Sequence, residues 1–461
     1  MSNLLNPKKN TELILSGNLP KAILSLSIPI VINSLLQTMY NLTDTYWLGK
    51  IGNDPMAAIT LVTPVQNIIL NFGQGITVAG SVLISQFVGA KDKKNAKLMA
   101  NQLFVCSMLF SFFCMLTCFF ATPAILSWLG AEGIIFDYSK IYLQIVILDM
   151  PFLFMINLYT SVHQSQGDTI KPMLLNLLGI VLNLIMDPLL LIVFEMGIAG
   201  AAIATLTAKI PCAVIALWSL TRTTQDIYLD RTEFRLCKDK LASIIKIGLP
   251  TAIGGSTMQF GFLLMSKNVL KYGTLAVTAY GIGNRINSLI TMPSNAMGSA
   301  TATIVGQNVG AGQKPRARQA YLIAMGMAAL FLLLGGIVLS RVPVSKAIVS
   351  VFSADPEVIA LASDFLSIMA IWCFTNSAYN MTIGLFQGTG HTVITRLVDA
   401  SRLWIFRFAT LFFCETVLLM GVRSIWYSVV VSNALSSLVL LILYKCGLWN
   451  RDVVKISSVS Q

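Results

Sequence analysis

Polar side chains follow one face of a long apolar segment near the start of the chain. Residues 22–43 carry no charged side chain, and Asp44 comes directly after them. The polar residues before it recur at helical spacing, so they share a helix face with the carboxylate: Asn33, Gln37, Tyr40 and Asn41. A carboxylate near the middle of a membrane costs about 2.5–3.5 kcal/mol. The stripe is therefore expected to face the protein interior or a water-filled cavity.

A second polar stripe ends in another carboxylate. Asn183 and Asp187 lie one turn apart in "LLNLLGIVLNLIMDP", and Asn176 lies two turns before Asn183. Two carboxylates from separate helices form a natural site for H⁺ or Na⁺, and Asn183 and Thr205 offer neutral oxygens to a hard cation. The alternative is that these groups only hydrogen-bond helices together. A looser stripe contains Tyr142, Asp149, Asn157 and Thr160.

The composition indicates the class of protein that carries these stripes. Of the 461 residues, 55% are hydrophobic and 11% are charged, and the mean hydropathy is +0.74; soluble domains have about 25% charged residues. The net charge of +12 is typical of basic cytoplasmic loops in a membrane protein and does not indicate nucleic-acid binding. No Walker A glycine loop is present, so we expect a protein that is not an enzyme and needs no cofactor.

Hydropathy predicts an all-α membrane protein with twelve transmembrane helices. A linker at 221–242 separates an N-terminal lobe (21–220) from a C-terminal lobe (243–446), with end segments at 1–20 and 447–461. Lys and Arg are roughly threefold more frequent in segments assigned to the cytoplasm than in outer loops. Both termini are therefore expected on the cytoplasmic side of a bacterial cytoplasmic membrane. The predicted spans are 21–47, 55–82, 98–122, 139–162, 172–194, 198–220, 243–268, 275–302, 319–341, 358–385, 394–418 and 424–446.

The two halves repeat each other at a fixed distance of 221 positions. Matching residues include Pro29 and Pro250, Gly52 and Gly273, and Gln86 and Gln307. Because each repeat has six spans, the repeats share one orientation and are expected to relate by a pseudo-two-fold axis along the membrane normal. Two such lobes predict a transporter in which rocking of the lobes gives alternating access.

The second half lacks the carboxylate pair. The residue 221 positions after Asp44 is Met265. Asp399 lies one turn before Arg402 on the eleventh predicted span, and a structural ion pair is its expected role. A structural role is also expected for Lys209.

The chain resembles the MATE (multidrug and toxic compound extrusion) family over nearly its whole length. The resemblance is carried by "IPIVINSLLQTMYNLTDTYWLGKIG", by "ISQFVGAKD" and its repeat "IVGQNVGAGQ", by "SQGDTIKPM" and by "VLNLIMDPLLL". It implies twelve helices in two lobes. It also implies export of amphipathic, often cationic, compounds driven by inward movement of Na⁺ or H⁺.

Within that family the chain is similar to the prokaryotic DinF-like branch. The similarity implies a coupling site for H⁺ or Na⁺ formed by Asp44, Asn183, Asp187 and Thr205. It implies cavity residues at the positions of Tyr40, Tyr142 and Asn157. The NorM-like branch has further acids where this chain has Met258 and Asn376, so no cation site is expected in the C-terminal lobe. The substrate cavity is expected to include these two residues together with Asn33, Gln37, Asn41 and Asn176.

The leading hypothesis is a secondary active multidrug efflux transporter that exports amphipathic or cationic organic compounds by antiport with H⁺ or Na⁺. The alternatives are a flippase for a lipid-linked precursor and a dedicated natural-product exporter of the same superfamily. A passive channel or receptor is a third hypothesis, against which the internal repeat and the paired acids argue. The expected partners are small organic molecules and the lipid bilayer, without nucleic acid, and the expected assembly is a monomer.

Overall fold

The computed structural model describes residues 7–222, 227–230 and 237–451. Within these residues the chain is helical and has no β-strand, which confirms the predicted all-α membrane fold. The rest of the chain, including parts of the predicted end segments and of the linker at 221–242, lies outside the described residues.

The first half consists of long continuous helices and one span that is interrupted between two shorter helices. A short helix precedes the spans, and the seventh helix continues into a π-helical turn, Leu189–Val193. The bounds are α1 (Pro7–Leu15), α2 (Leu19–Ile51), α3 (Asn53–Gly89), α4 (Lys93–Trp128), α5 (Gly133–Ile147), α6 (Met150–Ser165), α7 (Ile170–Pro188) and α8 (Gly197–Leu220).

The helices of the second half repeat this order with two interrupted spans. A π-helical segment, Ser401–Arg407, joins α15 to α16, and a 3₁₀ turn, Leu448–Asn450, follows the last helix. The bounds are α9 (Lys238–Leu270), α10 (Thr274–Gly310), α11 (Lys314–Leu339), α12 (Val342–Val349), α13 (Pro356–Trp372), α14 (Thr375–Gly388), α15 (Thr392–Ala400), α16 (Phe408–Thr416) and α17 (Arg423–Lys445).

Not every predicted span is a continuous apolar helix. In the described part of the chain, seven helices are long and apolar enough to cross a membrane alone, and nine spans result if two bent pairs count. The pairs are α5 with α6, bent by 43°, and α13 with α14, bent by 58°. The other segments at predicted spans are α9, α10 and α15–α16. Both α15 and α16 have only nine residues, which is too short to span a bilayer separately.

Contacts between Cα atoms divide the chain into two compact units. The first unit comprises Pro29–Ala252 and the residues up to Thr11, and the second comprises Glu12–Ile28 and the residues from Ile253 on. The unit boundaries in α2 and α9 lie next to Pro29 and within three residues of Pro250, two prolines that match in the repeat. A proline inside a helix removes one backbone hydrogen bond and favours a bend.

Glycine permits the same turn at equivalent places in the two halves. Gly52 precedes α3 with φ of 134°, and Gly273 precedes α10 with φ of 96°. L-residues with a side chain rarely adopt this region, whereas glycine does so at little cost. One identity of the 221-residue repeat therefore has a direct backbone explanation.

The core of the first unit lies between the helices that surround the polar stripes. Small residues of α3 and α8 pack there against larger side chains of α5 and α6. The buried members of this cluster are Ala58, Val62, Leu126, Ala131, Tyr142, Leu143, Ile147, Met150, Ile198, Ala201 and Ala202.

In the second unit, α10 and α14 approach each other closely through glycine. A Cβ atom added to Gly384 would lie 2.4 Å from the carbonyl oxygen of Gly298. A backbone atom at that distance cannot move aside as a flexible side chain could, so only glycine permits this helix crossing.

Candidate functional site

A contact between α7 and α8 sets the position of the second polar stripe. Gly179 faces Cys212, whose Sγ donates to the carbonyl oxygen of Leu175 at 3.6 Å. Consecutive helices joined by a short turn run antiparallel. One turn after Gly179, this register brings Asn183 to the backbone of Thr205.

The carboxylate of Asp187 is buried and only partly satisfied. Asp187 is 1% exposed and Asn183 is 3% exposed. The hydrogen-bonding pattern assigns the Asn183 amide nitrogen as donor to Asp187 Oδ2 at 2.9 Å, while its oxygen accepts from the Thr205 N–H at 3.3 Å. Asp187 Oδ1 is buried and has no partner among the described residues. A bound proton or cation would remove the free-energy cost of burying this oxygen without a hydrogen-bond partner.

The helix changes geometry immediately after this carboxylate. Pro188 ends α7, and the chain continues as the π-helical turn Leu189–Val193. Proline cannot donate a backbone hydrogen bond, and π-helical turns within α-helices occur often at functional sites. The irregular backbone therefore begins two residues after Asp187.

Helix α2 brings its own carboxylate and a tyrosine to the same place. Asp44 and Tyr40 are partly buried. The charge of Asp44 acts on Asp187 and on the hydroxyl groups of Tyr40 and Tyr142. The Tyr40 hydroxyl also interacts with the side chain of Thr205. Four helices, α2, α5, α7 and α8, thus contribute to one acidic cluster within the first unit.

Two neighbouring groups complete the surroundings of Tyr142. Gln66 of α3, which the sequence did not single out, interacts with the Tyr142 hydroxyl. Its only signal was an uncharged polar side chain two residues after Pro64. Asp149, in the break between α5 and α6, is bonded to Lys209 of α8.

The ion pair distinguishes Asp149 from the two carboxylates of the cluster. Asp149 is 3% exposed, and the ammonium group of Lys209 already balances its charge. No basic residue of the described chain forms such a pair with Asp44 or Asp187. These two carboxylates are consequently the ones available to a mobile cation.

The donor set of the cluster fits a proton or a small monovalent cation. In the described part of the chain no group of three or more His, Cys, Asp or Glu could hold a metal ion. Asp44 and Asp187 supply two carboxylates, and Thr205 and Asn183 supply neutral oxygens of the kind that hard cations prefer.

Other predicted cavity residues have local contacts of their own. Gln37 and Asn41 are exposed, and the Gln37 amide donates to the Asn41 oxygen at 3.4 Å. Asn33 is partly buried, and its side-chain oxygen is buried with no partner in the part of the chain that the structure describes. Asn157 of α6 packs on Gly73 of α3, where a Cβ atom would lie 2.6 Å from the amide nitrogen.

Three further residues are predicted to line the substrate cavity, and all three are at least partly buried. Asn176 is partly buried on α7, and Met258 is partly buried on α9. Asn376 is buried at the start of α14, where its main-chain oxygen accepts from Ser294 Oγ at 3.4 Å. Met258 and Asn376 belong to the second unit, whereas the residues of the acidic cluster belong to the first.

The second unit is apolar at the position equivalent to Asp44. Met265 is fully buried in a cluster that also contains aromatic side chains of α10, α13 and α17. Tyr280 and Trp426 stack there with ring centroids 6.1 Å apart, and Phe365 lies against both rings. The two halves thus share a scaffold but differ in the chemistry at this place.

Asp399 is bonded differently from the predicted ion pair with Arg402. Its Oδ2 accepts from Arg396 NH1 at 2.8 Å, and its Oδ1 accepts from the Tyr379 hydroxyl. Arg402 instead lies over the Tyr379 ring, 4.4 Å from its centroid, and acts on Asp399 at longer range. The sequence could not choose between the two arginines, because each lies three residues from Asp399.

The "SQGD" motif forms a buried ionic turn before α7. Asp168 Oδ1 accepts from the Lys171 N–H at 3.2 Å, and its Oδ2 lies 3.1 Å from Lys171 Nζ and 3.6 Å from His163 Nδ1. Burial by itself would raise the pKa of Asp168. The nearby His163 imidazole and the charge of Lys171 outweigh burial and hold the pKa of Asp168 below its usual value.

Comparisons with known proteins identify the family of the chain. The family description MatE matches residues 29–189 and 250–412, more than half of the chain. The chain is 24% identical over 371 residues to the multidrug export protein MepA of Staphylococcus saprophyticus, covering 80% of this chain and 82% of that protein. It is 25% identical over 437 residues to the probable multidrug resistance protein YpnP of Bacillus subtilis, covering 94% and 96%.

A solved structure shows the same fold. A MOP superfamily transporter from Pyrococcus furiosus, described as having a binding pocket of reverse polarity that suggests a different function, superposes with a TM-score of 0.89. The two are 22% identical, and the match covers 96% of this chain and 99% of that one. At this identity the likeness confirms the predicted twelve-helix, two-lobe fold and carries no argument about substrate. The family match includes the helices that carry Asp44 and Asp187, and the chain belongs to the MATE family of membrane transporters.

Proposed function

We propose that this MATE-family transporter is a secondary active multidrug efflux protein that exchanges amphipathic or cationic organic compounds for H⁺ or Na⁺. The names of its relatives MepA and YpnP support multidrug export. The observation that carries ion coupling is the carboxylate pair of the first unit, Asp44 and Asp187, which has no fixed counter-cation in the described part of the chain.

The two carboxylates supply the coupling chemistry. Each negative charge in the membrane interior raises the free energy of the state that buries it. Uptake of H⁺ or Na⁺ by Asp187, whose Oδ1 is buried and has no partner among the described residues, lowers that free energy. An ion on the site therefore favours a conformation that an empty site disfavours, and this differential stability is what an antiporter requires.

Asn183 can respond to the state of Asp187. Toward an ionised carboxylate, its amide presents the N–H group, as the 2.9 Å contact indicates. Toward a protonated carboxyl group or a cation beside it, the amide oxygen is the favourable partner. Rotation of this one amide would thus report ion loading to Thr205 of α8, to whose N–H it is bonded.

We further propose that the transporter lies in a bacterial cytoplasmic membrane with both termini in the cytoplasm, and that it acts as a monomer. The distribution of Lys and Arg supports this orientation.

The test is dye export from proteoliposomes under separately imposed Na⁺ and H⁺ gradients. Wild-type protein should export a cationic dye with one of the two gradients. Asp44→Asn and Asp187→Asn should each abolish that export, because the amide has no negative charge to balance H⁺ or Na⁺ and does not take up a proton. The matched control is Asp54→Asn, the same substitution at an exposed acid of α3. Gradient-driven export that persists in both cluster variants would refute ion coupling through this site.

A further inference from the structure

The second unit contains a cluster of arginines inside a predicted membrane span. Arg396, Arg402 and Arg407 lie on α15 and on the π-helical segment that follows it. Arg396 and the Tyr379 hydroxyl both donate to Asp399, and Arg402 lies over the Tyr379 ring. The charge of Arg402 also acts on Arg407, so the three arginines form one cluster. Val393, Leu397 and Ile405, which are exposed and apolar, form another face of this segment.

Neutral groups hold Arg402 and Arg407 in place, whereas Arg396 donates to the carboxylate of Asp399. The Arg407 side chain donates to Ser432 Oγ at 3.2 Å and to Asn433 Oδ1 at 3.5 Å on α17. Arg402 is held by the face of the Tyr379 ring on α14, and its Nε is buried without a partner in the described part of the chain. The stem of Arg396 packs on Gly254 of α9.

The cluster carries more positive than negative charge. Asp399 is the one acid bonded to it among the described residues, and it takes Arg396 and Tyr379 as donors. Other acids of the second unit have partners elsewhere: Asp364 binds Arg423, and Glu415 accepts from Tyr272. Because an arginine does not lose its proton in a protein, two positive charges remain unbalanced.

The polarity is opposite to that of the first unit. Arg407 lies 220 positions after Asp187, one residue from the register of the internal repeat. Asp187 lies two residues before the π-helical turn of the first half, and Arg407 is the last residue of the π-helical segment of the second half. Where the first unit requires a cation, this place in the second unit requires an anion, since unpaired charge in a membrane is costly.

We propose that Arg402 and Arg407 bind an anionic group, a carboxylate or phosphate, of the compound that the transporter moves. This inference rests on the proposed export function. It adds that some of the transported compounds carry an anionic group, alone or beside a cationic one. The guanidinium group suits the role, because its planar set of donors matches a carboxylate or phosphate and forms short, charge-assisted hydrogen bonds. Asp399 takes Arg396 as its donor, so neither Arg402 nor Arg407 has a carboxylate at hydrogen-bond distance among the described residues.

The test compares two dyes that differ in one group. Rhodamine B is a zwitterion with a free carboxylate, and its ethyl ester is a cation of nearly the same shape. Their binding to full-length protein in phosphatidylcholine nanodiscs is measured by fluorescence anisotropy. Wild-type protein should bind rhodamine B about tenfold or more tightly than the ester, which is the worth of one or two charge-assisted hydrogen bonds.

Substitutions assign this preference to the cluster. Arg402→Gln and Arg407→Gln should weaken binding of rhodamine B about tenfold and leave binding of the ester unchanged. Arg402→Lys, which keeps the charge, should retain part of the preference. Arg285→Gln, at an exposed arginine of α10, is the matched control and should behave as wild type.

Three results would overturn the inference: equal affinity of wild-type protein for the two dyes, an unchanged preference in both glutamine variants, or loss of the preference when phosphatidylglycerol is added to the nanodiscs. The last result would assign the cluster to lipid headgroups. Ion-driven export of the ethyl ester, measured on the same protein, separates this inference from the proposed function, because that export does not need the arginines.

Discussion

Removing the amine of Lys209 should destabilise the protein through Asp149. Lys209→Met keeps much of the apolar stem and deletes the charge that lies on Asp149, which is 3% exposed in the break between α5 and α6. The carboxylate would then remain buried without a counter-cation. The affected contact lies between α8 and a span that is already bent by 43°.

The expected loss of stability is about 3–5 kcal/mol, the usual cost of removing one partner of a buried ion pair. A Coulomb estimate agrees, because two unit charges about 4 Å apart interact by roughly 4 kcal/mol at an effective dielectric constant near 20. Lys209 is not fully buried, with a side chain that is 27% exposed. Water therefore screens part of the interaction, and the lower end of the range is expected.

The measurement is a thermal unfolding midpoint in detergent, followed by size-exclusion chromatography, for a double-mutant cycle. Asp149→Asn in the Lys209→Met background removes the orphan charge and should recover most of the lost stability. Wild-type stability of Lys209→Met, or losses that simply add in the double variant, would refute the assignment of this pair as a structural ion pair.

Three further substitutions test separate parts of the structure. Gly384→Ala should destabilise the α10–α14 crossing by about 1–3 kcal/mol, because its Cβ would lie 2.4 Å from a carbonyl oxygen; Gly326→Ala, where nothing lies within 4 Å, should leave the unfolding midpoint unchanged. Asp168→Asn should lower the midpoint at pH 7, and the difference from wild type should shrink as the pH falls below about 4, because a lowered pKa gives stability only while the carboxyl group is ionised. Thr205→Val should weaken ion binding about tenfold, the worth of one lost oxygen ligand, as measured by the ion concentration that gives half-maximal dye export; an unchanged value would remove Thr205 from the site.

The shared helix face of Tyr40 and Asp44 on α2 could be predicted, because helix geometry alone determines which residues of one helix lie on the same side. The interruption of the spans could not be predicted with equal success. Pro151 at the start of α6 is a signal for the break after Ile147. The break between Trp372 and Thr375 has neither proline nor glycine, so packing within the second unit, and not local sequence, must determine it.

The arginine that pairs with Asp399 could not be predicted from the spacing of residues along the helix. Arg396 and Arg402 are equally far from Asp399 along the helix, and only the ring of Tyr379 on α14 separates their roles. In the same way, hydropathy showed that Asp44 is costly, but the match between α7 and α8 was needed to bring Asn183 and Thr205 to the acids. Residues on one helix are predictable from sequence, whereas contacts between helices depend on packing.

The central claim is that Asp44 and Asp187 couple export of the organic compound to movement of H⁺ or Na⁺ in the opposite direction. Ion movement driven by a gradient of the compound tests this claim most directly. Proteoliposomes receive a dye gradient and no ion gradient, and the movement of H⁺ is followed with a pH indicator and that of Na⁺ with radioactive sodium. The account predicts that the dye gradient drives one of these ions in the opposite direction in wild-type protein and drives neither in Asp187→Asn. Dye movement without ion movement in wild type, or an unchanged ion flux in Asp187→Asn, would contradict it.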